Sequence, residues 1–141
     1  MEQALMQAAI LTFEELGFVF LSPDTDGGVV GDINSATVTV DFRGEFPGKL
    51  VLRVENQMLP TLAANLLGED ETEVSEELQR DALGELANVV CGNALPAIAG
   101  KQAVFRLNAP QFSTEAFIEK PSAMVNLNSD EGRADVLLYL N

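Results

Sequence analysis

Glu73-Val-Ser-Glu-Glu-Leu-Gln-Arg-Asp81-Ala-Leu-Gly-Glu85-Leu-Ala-Asn88-Val-Val-Cys-Gly92-Asn-Ala-Leu95 is the stretch that decides the fold. Leu78, Ala82, Leu83, Leu86 and Val90 recur at three- and four-residue steps. That spacing predicts one long helix over about 73–95 with an apolar side that must be buried. Asp81, Glu85 and Asn88 stand at i, i+4 and i+7. At roughly 100° per residue they project within an arc of about 60°. A carboxylate and a carboxamide are thus offered one turn apart from a rigid platform. The arrangement suits work on another molecule's surface better than work in a deep pocket. Asp70 and Thr72 are the expected N-caps, and the acids of residues 69–77 complement the helix dipole, each by about 0.3–1 kcal/mol. Pro96 lacks an N–H and its ring crowds the carbonyl of Gly92. The helix is expected to end or kink there, with Gly100 closing the segment.

On the N-terminal side, Leu5, Met6, Ala9, Phe13 and Leu16 predict a helix over residues 2–16, with Gly17 as its stop. Residues 18–21 are a short strand candidate, and 22–32 read as a loop. The β-branched run Thr37-Val-Thr-Val40 predicts a strand over 36–43, joined through 44–48 to a second strand over 50–54 as a hairpin. Residues 57–67 read as a helix starting near Asn56, because Pro60 is tolerated only in a first turn. Beyond Gly100, residues 103–107, 112–119, 123–128 and 134–140 are strand candidates. The order is one helix, three strands, two helices and four strands. With hairpin-length connections it predicts an α+β fold, a two-layer sandwich of helices packed on a largely antiparallel β-sheet. Residues 1–141 have 47% hydrophobic content and are expected to form a single domain with its own core.

Composition excludes several functions. The chain carries 22 acidic and 8 basic side chains, a formal net charge of −14. It lacks the basic footprint of a nucleic-acid binder and disfavours anionic membranes. It fits a partner with a basic or lysine-bearing surface. With no histidine, Ser-His-Asp triads, Cys-His pairs and the usual zinc sites are removed together. The single cysteine, Cys91, rules out an internal disulfide. The N-terminus has no basic cluster, and no uninterrupted apolar run approaches the ~20 residues of a membrane span. A cytoplasmic location is expected.

The pattern Asp81-x3-Glu85-x2-Asn88, followed after twenty-one intervening residues by Pro110, resembles the signature of the CheC/CheX/FliY family of chemotaxis phosphatases. The run Glu85-Leu-Ala-Asn88-Val-Val-Cys-Gly92-Asn93-Ala94 is similar to that family's helix throughout. One copy of the motif is more similar to CheX than to CheC, which has two. The resemblance implies hydrolysis of the aspartyl phosphate on a CheY-like response regulator. It implies that Asn88 orients the attacking water and that Glu85 docks to the regulator's lysine. It implies that Mg2+ is supplied by the regulator, with no cofactor held by this chain, and that the protein is a homodimer. Asp81 matches the first motif position and is assigned to partner binding. The C-terminal strand candidate, apolar up to its end, also invites sheet pairing between subunits.

Each residue has a plainer reading. Asp81, Glu85 and Asn88 could simply form a solvated helix face, but Asn is a poor interior helix residue that an idle face would not select. Gly92 lies one turn beyond Asn88 on the same side. It either keeps that face clear for a partner or permits close packing, at about 1 kcal/mol relative to Ala. For Gly84, packing is favoured. Asn93 is expected to satisfy backbone groups near Pro96, and Cys91 to be a small, partly buried hydrophobe. Pro110 is expected to shape the turn after a strand. Asp24-Thr-Asp26-Gly-Gly is out of register for a calcium loop, and Gly27-Gly-Val-Val-Gly31 lacks the lysine of a phosphate loop. The rival functions are a non-catalytic regulator-binding module and a structural part of a flagellar or pilus switch.

Overall fold

The computed structural model describes residues 1–24, 34–113 and 120–141. In chain order the elements are α1 (Glu2–Gly17), β1 (Ser22–Pro23), β2 (Ser35–Gly44), β3 (Gly48–Glu55), α2 (Leu59–Leu67), α3 (Glu76–Ala99), β4 (Phe105–Leu107), β5 (Gln111–Ser113), β6 (Ala123–Asn128) and β7 (Arg133–Leu140). Short 3-10 turns at Asn56–Met58 and Glu71–Glu73 precede α2 and α3. The strands form one sheet in the order β1-β6-β7-β3-β2-β4, with β5 also on β2. All its pairings are antiparallel. This is the expected α+β sandwich.

Alternation explains how the layers meet. Val38, Val40 and Phe42 of β2, Leu50, Leu52 and Val54 of β3, and Ala134, Val136 and Leu138 of β7 turn to one side. They form a continuous core with Leu5, Ala9 and Phe13 of α1 and Leu83, Leu86 and Val90 of α3. Each fully buried aliphatic side chain contributes about 1.5–3 kcal/mol, so this layer is what holds α3 on the sheet. The opposite side of the sheet carries Val51, Leu137 and Tyr139. It also carries a polar row across four strands, in which Thr37 lies opposite Arg53, Arg53 opposite Asp135, and Asp135 opposite Asn126. Arg53 Nε donates to Thr37 Oγ1 at 3.3 Å, and Asn126 Nδ2 donates to Asp135 Oδ1 at 2.8 Å.

Several expectations are corrected. Residues 18–21 are not a strand; the pairing with β6 falls on Ser22 and Pro23. Gly17 ends α1, but the left-handed cap is Phe18, with φ of 51°. Gly17 is needed for close approach, because a Cβ there would come within 2.6 Å of Leu62 Cδ2 on α2. Asp70 caps the 3-10 turn, accepting from Thr72 N, while α3 begins later behind Ser75, whose Oγ accepts from Leu78 N at 3.2 Å. Leu78, in that first turn, is exposed. Pro96 does not end α3, which runs on to Ala99. The ring removes only the bond to Gly92, and Gly92 is exposed, so its carbonyl can turn to water. β7, the C-terminal strand, lies between β6 and β3, so it offers no free edge for pairing between subunits. The two discounted glycine-rich motifs lie largely, and residues 114–119 wholly, outside the described residues.

By length and composition alone α3 could cross a bilayer, with a mean hydropathy of 1.3 over its most apolar window. Half of that window is buried within the fold, as in a core helix.

Candidate functional site

Rotation of α3 is set by what packs on it. Ala82, Leu83, Leu86, Ala87, Val90, Cys91, Ala94 and Leu95 are buried, which leaves Asp81, Glu85 and Gly92 exposed along one strip. Asn88 falls in the same strip but is half-buried. The carboxylates thus stand where the spacing puts them, and the amide lies deeper than a fully exposed face would hold it. Its Oδ1 is covered and has no hydrogen-bond partner among the described residues. An unpartnered buried acceptor costs about 1–3 kcal/mol. The torsion that turns the amide is broad and two-fold, so a half-turn exchanges oxygen and nitrogen at the covered position.

The two glycines of the helix divide. A Cβ built on Gly92 would meet nothing within 4 Å, so packing does not require this glycine and the face beyond Asn88 is clear. A Cβ on Gly84 would lie 3.3 Å from both Cβ and Cγ of Pro110 and 3.6 Å from Phe112 Cζ. Gly84 is therefore a packing glycine. Pro110 does more than shape a turn, since it lies against the site helix itself.

The neighbouring residues have structural roles. Asn93 is exposed and its Nδ2 donates to Thr12 Oγ1 at 3.3 Å, so it joins α3 to α1 rather than serving backbone groups near Pro96. Cys91 is fully buried, and burial pushes its thiol up to about 12 from an ordinary 9.0. With no exposure it is no nucleophile. Past Gly92, a cleft of about 310 Å³ opens between Leu95 and Pro96 of α3 and Val104, Phe105 and Leu107 of the sheet edge. A larger cavity of about 560 Å³ lies at the other end of α3, between Gln79 and Arg80 and the start of β2. It does not include Glu85 or Asn88. Among the described residues no group of three or more His, Cys, Asp or Glu side chains could hold a metal ion.

The fold and this strip define an α+β sandwich that carries a carboxylate and a carboxamide on an open helix face. The model of the family described as chemotaxis phosphatase CheX matches residues 36–128. The chain belongs to the CheX family. Among solved structures, CheX from Vibrio vulnificus is similar at 16% identity over 99% of this chain and 95% of that one, with a TM-score of 0.79. CheX from Desulfovibrio desulfuricans is similar at 15% identity over 99% and 97%, with a TM-score of 0.75. The CheX-CheY-BeF3-Mg2+ complex from Borrelia burgdorferi is similar at 18% identity over 99% and 96%, with a TM-score of 0.70. No curated protein matches by sequence.

Proposed function

We propose that the protein, acting as one domain over residues 1–141, dephosphorylates the phospho-aspartate of a CheY-like response regulator in the cytoplasm. The observation that carries this reading is the single strip of α3 on which Glu85 and Gly92 are exposed, Asn88 lies between them, and the space over Gly92 is empty. Membership of a phosphatase family and likeness to a CheX bound to CheY support it.

An acyl phosphate is already activated, so its hydrolysis chiefly needs water held in line with phosphorus. The water oxygen bonds to phosphorus, the acyl P–O bond breaks, its electron pair leaves with the aspartate carboxylate, and the water's proton passes to solvent. A carboxamide suits the positioning task because it can both donate to and accept from a water without taking a full charge. Asn88 holds that water. Glu85, one turn away and exposed, pairs with the regulator's lysine and sets the docking angle. Asp81 and Gly92 complete the contact surface. The Mg2+ of the reaction is assigned to the regulator, a reading supported by likeness to a CheX-CheY-BeF3-Mg2+ complex. A homodimer remains part of the proposal on the family resemblance, without the C-terminal strand as its seam.

The test is the decay of phosphorylated response regulators of the same genome, with and without this protein. Faster decay of one of them is expected. Unchanged decay at saturating complex, for every regulator that binds, would sink the enzyme reading. It would favour a non-catalytic docking module, a second reading that draws on the covered Oδ1 of Asn88.

A further inference from the structure

We propose that Pro110 is a positioning residue, seated on Gly84 by a bulge in the edge strand, that sets the orientation of the Asn88 carboxamide. The inference deepens the proposed function and rests on it for the meaning of the rate measurements.

β4 and β5 are two pieces of one edge strand on β2, offset by one residue. Leu107 lies opposite Phe42, and the N–H of Asn108 donates to the carbonyl of Asp41 at 2.9 Å. Gln111 lies opposite Thr39. Between those points Ala109 and Pro110 together face one residue, Val40, which is the definition of a β-bulge. A proline suits the position because it has no N–H for the ladder to leave unpaired.

The extra residue reverses which side chains face α3. Before the bulge, Phe105 and Leu107 lie on the helix side, opposite Gly44 and Phe42. After it, Phe112 lies there, opposite the core residue Val38, and Pro110 two residues earlier shares its side. An unbulged strand would present Ala109 and Gln111 instead. The bulge thus brings the Pro110 ring to within 3.3 Å of the place where a Gly84 side chain would begin.

Gly84 precedes Asn88 by four residues, so both stand on one flank of α3. A helical side chain leans over the turn on its N-terminal side. The Asn88 side chain therefore leans over the Gly84 turn, which the Pro110 ring walls. Its Oδ1 is covered with no hydrogen bond to hold it, so packing is what fixes the amide's rotation. Any side chain on residue 84 would push the ring aside and open that wall.

The test uses two variants and two independent readouts. The side-chain amide resonance of Asn88, assigned by its loss in Asn88→Ala, reports the carboxamide without any partner. Pro110→Ala is expected to shift and broaden it. With the regulator that responds to the wild type, kcat should fall on the order of tenfold to a hundredfold while KM stays within about twofold. Gly84→Ala displaces the ring by a few tenths of an ångström and should act in the same direction, less strongly. If Pro110→Ala does not fold, Gly84→Ala decides. An unchanged Asn88 resonance, or equal losses in kcat and affinity, would overturn the proposal and leave Pro110 a structural residue. If the wild type accelerates no regulator's decay, the proposed function fails, and the resonance still decides whether Pro110 orients Asn88.

Discussion

Asn93 donates through Nδ2 to Thr12 Oγ1 at 3.3 Å, linking α3 to α1 at the margin of the core. Asn93 stands about 140° around the helix from Asn88. A helix held at that margin, with Leu83, Leu86 and Val90 in the core, turns the Glu85 strip outward. Thr12 is 1% exposed, so its hydroxyl depends on this partner more than the solvated Asn93 does. Thr12→Val should lower stability by about 0.5–1.5 kcal/mol, read as a lower melting temperature.

Asn88→Ala should abolish turnover, by a factor on the order of 100 or more, without losing the fold or the docked complex. It also removes a covered oxygen that has no partner, so the melting temperature should hold or rise slightly. Phosphate-decay kinetics and thermal unfolding of the same sample check both halves. Wild-type activity in this variant would mean that the amide does not orient the water.

Glu85→Ala should weaken docking as well as rate. Loss of one exposed charge pair is worth up to about 1 kcal/mol, so the dissociation constant should rise several-fold. The effect should shrink as salt is added, because the pair forms at an accessible surface. Titration of the regulator at two ionic strengths measures this. An affinity equal to wild type at low salt would remove Glu85 from the contact.

Gly92 separates two kinds of substitution. Gly92→Ala adds a methyl into empty space and lowers the unfolded chain's freedom, so it should stabilise the protein by about 0.5–1 kcal/mol. Gly92→Trp adds bulk to the same open face and should block the regulator while the fold persists. A melt and a binding titration on the pair distinguish them.

Cys91 should resist alkylation at neutral pH in the native protein and react readily once unfolded. The folded thiol is raised to about 12, above an ordinary 9.0, so the native state holds this proton more tightly. The stability tied to it is fully present below pH 9 and is lost as pH rises toward 12. Labelling with a thiol reagent at pH 7 and denaturant melts from pH 8 to about 11 give the two readings.

Much of this was legible in the residues themselves. The periodicity around Leu83, Leu86 and Val90 marks the buried side of α3, and the Thr37-Val-Thr-Val40 alternation marks β2. Part of what escaped is a local choice between neighbouring caps, and the rest depends on partners distant in sequence. Ser75 caps α3 because Asp70 is taken by a separate 3-10 turn. Pro96 sits inside the helix because Gly92 beneath it is exposed, which is a tertiary fact. The interior place of β7 follows from β6 and β3 closing on both its sides. The residues of the strip were readable from spacing alone, while the ring that flanks them was not, because a bulge is a mismatch between two strands and shows in neither.

The seat of Pro110 on Gly84 makes segment length a mechanical quantity. From the level of Gly84 the chain descends α3 to Ala99, about 22 Å at the helical rise. It turns at Gly100 and climbs back along the sheet margin, where residues 103–110 span up to about 23 Å. The circuit closes only when the return leg arrives with the ring at the right height and on the inner side. One residue added or removed in the edge strand moves the ring by about 3 Å and turns it to the other face of the sheet, whereas one in α3 moves the return leg by about 1.5 Å and about 100° around the helix. The interval between the amide and the proline is therefore a ruler, and indels within it should be silent only in pairs that restore both reach and handedness.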